Sequence, residues 1–415
     1  MSQGWRRGPV GDTPADRLAV QLAQQLGGRT GLSRRGFMRG AGVSALAVTS
    51  SGLLVACGTE GTRQTADSCT STDLSEQEKQ LAFSNWPLYI DEKGDSYPTL
   101  ADFEKQTGIS VEYTTDVNDN NQFFAKVRNQ LGACESTGRD IFVLTDWMAA
   151  RMVSLGWLQE LDHSNMPNVD ANLVESLQDP AWDPGRKYSV PWQSGLTAIA
   201  YNSKYTGEIS SFEELVTRPD LKGKVSLLSE MGDTMGFFLK LVGADPGDFS
   251  EDEWESALAR LEEVVASGQV RQFTGNDYTR PLNKGDLVAS EAWSGDVMIM
   301  QDQNPDIKFV IPDEGASLWS DNMLVPNKAT HKTNAEMLMN YYYEPEVAAR
   351  LAAWVWYITP VAGAEEAMKS IDESLVGNPL IFPTTDYLAN TFAFKNVDIK
   401  TREEYDKAFN QIIGA

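Results

Sequence analysis

The sequence predicts an α/β protein of two lobes, each a sheet flanked by helices. Three observations predict it. The chain has 415 residues, more than one compact core of ordinary size holds, so two lobes are expected. From Leu81 onward, short apolar runs alternate with amphipathic stretches, the rhythm of a layered sheet with helices on its faces. A hydrophobic content of 41% with 10% aromatics is that of a globular chain.

The elements follow in order. LAFSNW at 81–86 reads as a first strand and TLADFEKQTG at 99–108 as a helix closed by glycine. ISVEYTTD at 109–116 alternates as a strand does, and NQFFAKVRNQLG at 121–132 is again helical. DIFVLTD at 140–146 is a nearly continuous apolar strand, followed by a helix at 148–156. Open sheets of this kind bind ligands outside the carboxyl ends of their strands, where Trp86 and the run Thr145, Asp146, Trp147 fall. A second series begins after YSVPWQSGLTAIAYN at 188–202. It comprises a strand at 222–230, a helix at 231–243, a long acidic helix at 251–268 and strand candidates at 288–296 and 307–315. The stretch 334–356 is helical with a break at Pro345.

The N-terminal 56 residues read as an address. SRRGFMR at 33–39 precedes an apolar run of small residues at 41–56, the layout of an export signal and too short and Ser/Gly-rich for a membrane span. Arg34, Arg35 and Phe37 resemble a twin-arginine signal, and LVAC at 54–57 resembles a lipobox. Cys57 is then the lipidation site, and a diacylglycerol brings the two acyl chains that stable anchoring needs. The polar stretch that follows, to residue 80, reads as a flexible leash. Two cysteines remain, Cys69 and Cys134. In an oxidising compartment they either pair or stay as two free thiols.

Charge and motif content exclude several function classes. With 35 basic against 59 acidic residues the net charge is -24, which repels phosphates, and no basic stripe interleaved with aromatics is present, so nucleic acid is not an expected partner. No Walker-type loop, GxSxG, HExxH or CxxC motif occurs, so neither a cofactor nor a metal is expected. His163 and His331, the only histidines, sit in polar settings that read as solvated loops. What recurs is an aromatic beside a carboxylate near strand ends: Trp147 after Asp146, Trp293 before Asp296, Trp319 before Asp321. Aromatic faces attract cations and carboxylates hydrogen-bond ammonium groups, so the combination suits an amine on an aliphatic chain.

The motifs NWPLYI (85–90), YSVP (188–191), WSGD (293–296), LWSDN (318–322) and YITP (357–360) give the body a family likeness. It resembles the spermidine/putrescine-binding proteins of ABC transporters. The resemblance implies a periplasmic-binding-protein type II fold with a two-crossing hinge, near Trp192 to Gly195 and near Glu314 to Trp319. It implies lobes built from 81–192 plus 319–365 and from 193–318 plus 366–415. It also implies a monomer that carries a polyamine to permease subunits and is no enzyme. Carried over by position, Trp86, Tyr89, Trp293, Trp319 and Tyr357 are expected as walls and Asp321 as the firmest amine ligand, with Asp296 a weaker candidate. Thr145 falls at a small hydroxyl position, Trp147 beside it, and Glu230 and Asp233 at two acids before a second-lobe helix. Leu88 stands where the family has an acid and Pro87 where it has a hydroxyl, two lost polar contacts for which Asp146 is a candidate replacement. The alternatives are a same-fold protein for another organic cation, such as a quaternary amine, and a secreted carboxylate-dependent hydrolase.

Overall fold

The computed structural model describes Cys69 and residues 71–414. The expected export signal, the lipidated Cys57 and the first part of the leash lie outside the described residues. The strands are β1 (Gln80–Asn85), β2 (Ser110–Thr115), β3 (Ile141–Thr145), β4 (Ser189–Asn202), β5 (Val225–Leu228), β6 (Val270–Thr274), β7 (Ala289–Trp293), β8 (Ile307–Val310), β9 (Ala316–Leu324) and β10 (Thr391–Phe392). The longer helices are α1 (Pro98–Thr107), α2 (Asn120–Gly132), α3 (Asp146–Ser154), α4 (Met231–Leu241), α5 (Glu251–Ala266), α6 (Ser294–Gln303), α7 (Lys332–Tyr342), α8 (Pro345–Val355) and α9 (Ile399–Ile413).

Two groups of strands, expected as separate sheets, are joined in one hydrogen-bonded path of order β2-β1-β3-β9-β4-β7-β5-β6, with β10 on β9 and β8 on β4. The reason is the length of β4 and β9. All 14 residues of β4 are buried, and its first residues pair with Asn322 to Leu324 while its later ones pair with β7 and β8. The β4–β9 register shifts between Pro191 and Ser194, where proline removes a ladder donor. The outer pairs β1–β2, β1–β3, β5–β6 and β5–β7 are parallel, whereas β9 lies antiparallel to both β3 and β4. Two large apolar clusters flank the path, one around Phe83, Phe142, Trp192 and Tyr342 and the other around Phe212, Phe237, Trp254 and Phe409.

Local chemistry fixes where the helices start. Asp119 caps α2 by accepting from the Gln122 N–H at 3.0 Å, and Ser250 with Glu253 forms a capping box on α5. Asp146 and the Ser294–Asp296 segment, expected to end strands, instead open α3 and α6. Carboxylates in a first helical turn meet unpaired N–H groups and the positive end of the macrodipole. Among the described residues no helix is long and apolar enough to cross a membrane.

Two expectations are corrected. From Cys69 the leash is bound to the body: Cys69 forms a disulfide with Cys134, Leu74 N–H donates to Thr330 O at 2.7 Å, and Asp73 accepts from Thr333. His331 is buried, not solvated. It lies 3.0 Å from both Asp140 and Glu78, and those carboxylates raise its pKa although burial opposes them. A polar neighbourhood in sequence did not reveal that the N-terminal segment covers this loop. His163 is half-exposed and lies 2.6 Å from Asp170.

Candidate functional site

A cavity of about 240 Å³ lies at the carboxyl ends of β1, β3 and β7 and the adjoining helix starts. All twelve side chains singled out from the sequence line it. Among the described residues no lysine, arginine or histidine does.

The aromatic walls are locked by their own polar edges and by each other. Trp86 follows β1 and donates its Nε1–H to Val143 O at 3.1 Å. The Tyr89 ring meets Tyr357 edge-on at 5.1 Å, and Tyr357 meets Trp319 at 5.6 Å, spacings usual for aromatic pairs. Trp319 donates to Thr197 Oγ at 2.9 Å, Thr197 to Asp233 at 2.9 Å, and Trp293 to the other Asp233 oxygen at 3.1 Å. Glycine is required beside these rings. A Cβ on Gly195 would collide with the Trp319 ring and one on Gly295 with the Tyr357 ring, which accounts for the glycine of the WSGD motif.

Asp321 stands on β9 opposite Thr145 of β3. The Thr145 hydroxyl donates to Asp321 Oδ1 at 2.7 Å, and Asn120 Nδ2–H donates to the Thr145 oxygen at 2.9 Å. Burial pushes the Asp321 carboxyl up to about 7 against the Thr145 bond, and the charges of Asp146 and Asp233 push the same way. The Tyr89 hydroxyl is buried and faces the Asp321 carboxylate, so that Thr145 and Tyr89 both present hydroxyls to the same group.

The other carboxylates differ in how fully they are satisfied. Asp296 accepts from Tyr278 and Asn276 at 2.8 and 2.9 Å and from Tyr357 at 3.3 Å; burial nonetheless lifts it to about 6. Asp146 accepts from Asn322 at 2.7 Å, and Asn322 in turn accepts from Arg186 at 2.7 Å. Burial lifts Asp146 to about 6, with the Asn322 bond and the Arg186 charge opposing. Asp233 is raised by burial against hydrogen bonds from Trp293, Thr197 and Ser317. Glu230 is raised well above the usual range by burial and by Asp119. Its Oε1 accepts twice from Asn120 at 3.1 Å, while Oε2 is buried without a partner.

Five carboxylates around one cavity, with Glu230, Asp296 and Asp321 buried and Asp146 and Asp233 half-buried, each biased towards neutrality, are costly unless cationic groups meet them. Asp233 and Asp296 sit in the first turns of α4 and α6, Asp146 in that of α3, and Glu230 immediately precedes α4. Helix N-termini by themselves attract anions; a carboxylate at each start reverses that preference.

The family model described as bacterial extracellular solute-binding protein matches residues 99–376. The chain belongs to this family. It is 28% identical over 332 residues to the spermidine/putrescine-binding periplasmic protein 1 of Haemophilus influenzae, covering 79% of this chain and 89% of the relative. It is 29% identical over 360 residues to a putrescine-binding periplasmic protein of Escherichia coli, covering 82% and 92%. A solved structure of a proposed spermidine/putrescine ABC transporter from Listeria monocytogenes superposes with a TM-score of 0.71 at 28% identity, over 81% of this chain and 99% of that one. The fold is that of the type II periplasmic binding proteins. The family is one of solute-binding transport proteins and not of enzymes.

Several lining residues were not singled out from the sequence. Trp182 precedes Asp183, the same aromatic-acid pairing that marked Trp293 and Trp319, and so was open to the same argument. Asn120 opens α2 beside the cap Asp119. Phe394 and Asn396 come from the chain's end, with no local signal. Leu88, the residue in place of the family's acid, packs against the core and does not line the cavity.

Proposed function

We propose that this solute-binding protein takes a polyamine of the putrescine/spermidine class and delivers it to the permease of an ABC transporter. The observation that carries the reading is the lining itself: aromatic walls for methylene groups and five carboxylates, with no basic side chain among the described lining residues. Asp321, Asp233 and Asp296 surround the pair Trp319 and Tyr357 and would meet the ammonium ends, with Thr145 holding Asp321 and Tyr89 adding its hydroxyl. Ammonium groups carry N–H donors for these oxygens and a quaternary amine carries none, which favours the polyamine.

In this reading, residues 81–192 with 319–365 and residues 193–318 with 366–415 are lobes that close on the ligand about β4 and β9. Residues 1–56 export the chain as a twin-arginine substrate, and lipid on Cys57 tethers it, as a monomer, to the outer face of the membrane. A thermal-shift panel of putrescine, spermidine, choline and betaine tests the ligand class, because a ligand stabilises by mass action. Stabilisation by a polyamine alone is the expected result; stabilisation by choline or betaine alone overturns it.

A further inference from the structure

Asn120 opens α2, lines the cavity and is 1% exposed. Its Oδ1 accepts from the Thr145 N–H at 3.1 Å, while Nδ2 donates to Thr145 Oγ at 2.9 Å and to Glu230 Oε1 at 3.1 Å. The Asn120 backbone N–H donates to the same Glu230 oxygen at 3.1 Å. These partners admit one orientation of the amide, because the Thr145 N–H must face an acceptor and a carboxylate oxygen must face a donor. Both Nδ2 hydrogens are thereby committed.

The consequence reaches Asp321 through Thr145. A hydroxyl carries one hydrogen and two lone pairs, so Thr145 Oγ, accepting from Asn120, turns its hydrogen to Asp321 Oδ1 at 2.7 Å. One amide thus serves two cavity acids from different elements, Asp321 on β9 and Glu230 before α4. With Glu230 Oε1 occupied by Asn120, Oε2 remains buried without a partner. An unmet buried acceptor is costly until a donor reaches it.

We infer that Asn120 is a positioning residue for the ligand, holding Glu230 directly and Asp321 through Thr145 so that both acids meet an ammonium group in fixed orientation. This rests on the polyamine reading above. The amide has no hydrogen left for the ligand and acts through its two partners. Donors to a carboxylate favour its charged form. Asn120 therefore works against the charges that oppose ionisation, those of Asp146 and Asp233 on Asp321 and of Asp119 and Asp233 on Glu230. The Tyr89 hydroxyl at Asp321 and the Arg402 charge near Glu230 work in the same direction as Asn120.

Calorimetric titration of the full-length protein with putrescine and with spermidine, repeated from about pH 8.5 down to about pH 6, tests it. Asn120→Ala removes both Nδ2 donors and keeps the backbone N–H on Glu230. Its affinity is expected to approach that of wild type at the alkaline end and to fall about tenfold behind as the pH drops, because proton uptake by the acids moves about one pH unit upward. Thr145→Val, similar in shape but lacking the hydroxyl, is expected to move the profile the same way. A purely structural role would lower the affinity by the same factor at every pH. The inference is overturned if Asn120→Ala leaves the pH profile of binding in place. It is equally overturned if Thr145→Val does so, a result that needs no Asn120 variant to fold. A wild-type protein that binds neither amine contradicts the polyamine reading itself, a distinguishable outcome.

Discussion

Asp321→Asn separates binding from stability, because the two respond with opposite sign. The substitution removes one buried charge while an amide oxygen can still accept the 2.7 Å bond from Thr145. Removing one partner of a buried, hydrogen-bonded charge pair costs about 2–5 kcal/mol, so polyamine affinity should fall roughly 30-fold to several thousandfold. The ligand-free protein should gain stability. Its Asp321 carboxyl is raised by burial from 3.8 to about 7, so the folded state favours the protonated form. That penalty is absent below about pH 4, grows as the pH rises, and is complete above about pH 7, where it amounts to about 4 kcal/mol. Calorimetric titration gives the affinity, and thermal unfolding of the ligand-free protein near pH 8 and near pH 4 gives the stability. The variant should melt several degrees above wild type near pH 8, with the gap closing near pH 4. Unchanged affinity together with a lower melting temperature near pH 8 would refute the reasoning.

Polyamine affinity should also fall with pH. Asp321 at about 7 and Asp296 at about 6 take up protons as the pH drops from about 8 to 5 while the amines stay charged. Each carboxyl costs up to about tenfold per pH unit below its value, and a flat profile in a titration series would count against direct amine contact. Gly295→Ala should weaken binding by displacing the Tyr357 ring that its Cβ would strike; intrinsic fluorescence and titration together report it, and wild-type affinity would show that the ring is free to move. Replacing Cys69 and Cys134 by serine opens a link across 65 residues and should cost about 2–4 kcal/mol in denaturant unfolding, whereas an unchanged midpoint would mean that the pair does not stabilise the fold.

Much of the site was legible because its residues lie beside local punctuation. Asp321 and Trp319 share one strand, Asp296 and Trp293 straddle a strand-to-helix step, and Thr145 ends an apolar run, so pattern and chemistry coincide over a few residues. The strand-helix alternation likewise marked β1, β3 and α1 to α5. The single sheet path was less legible. β4 contains proline, glycine and several polar residues, and its continuity depends on pairing with β7, β8 and β9 rather than on local propensity. His331 and the stretch after Cys69 were misread for a related reason: polar residues look solvated until a distant segment covers them. Phe394 and Asn396 carry no sequence signal, because their place at the cavity depends on where the segment after β10 docks.

The central claim is that a positively charged aliphatic amine fills the carboxylate-lined cavity. Mass spectrometry of small molecules released on denaturing the protein purified from its native source tests this most directly. A diamine or triamine is expected from the wild-type protein and is lost from the Asp321→Asn variant. Release of a neutral or anionic solute, equally retained by that variant, would contradict it.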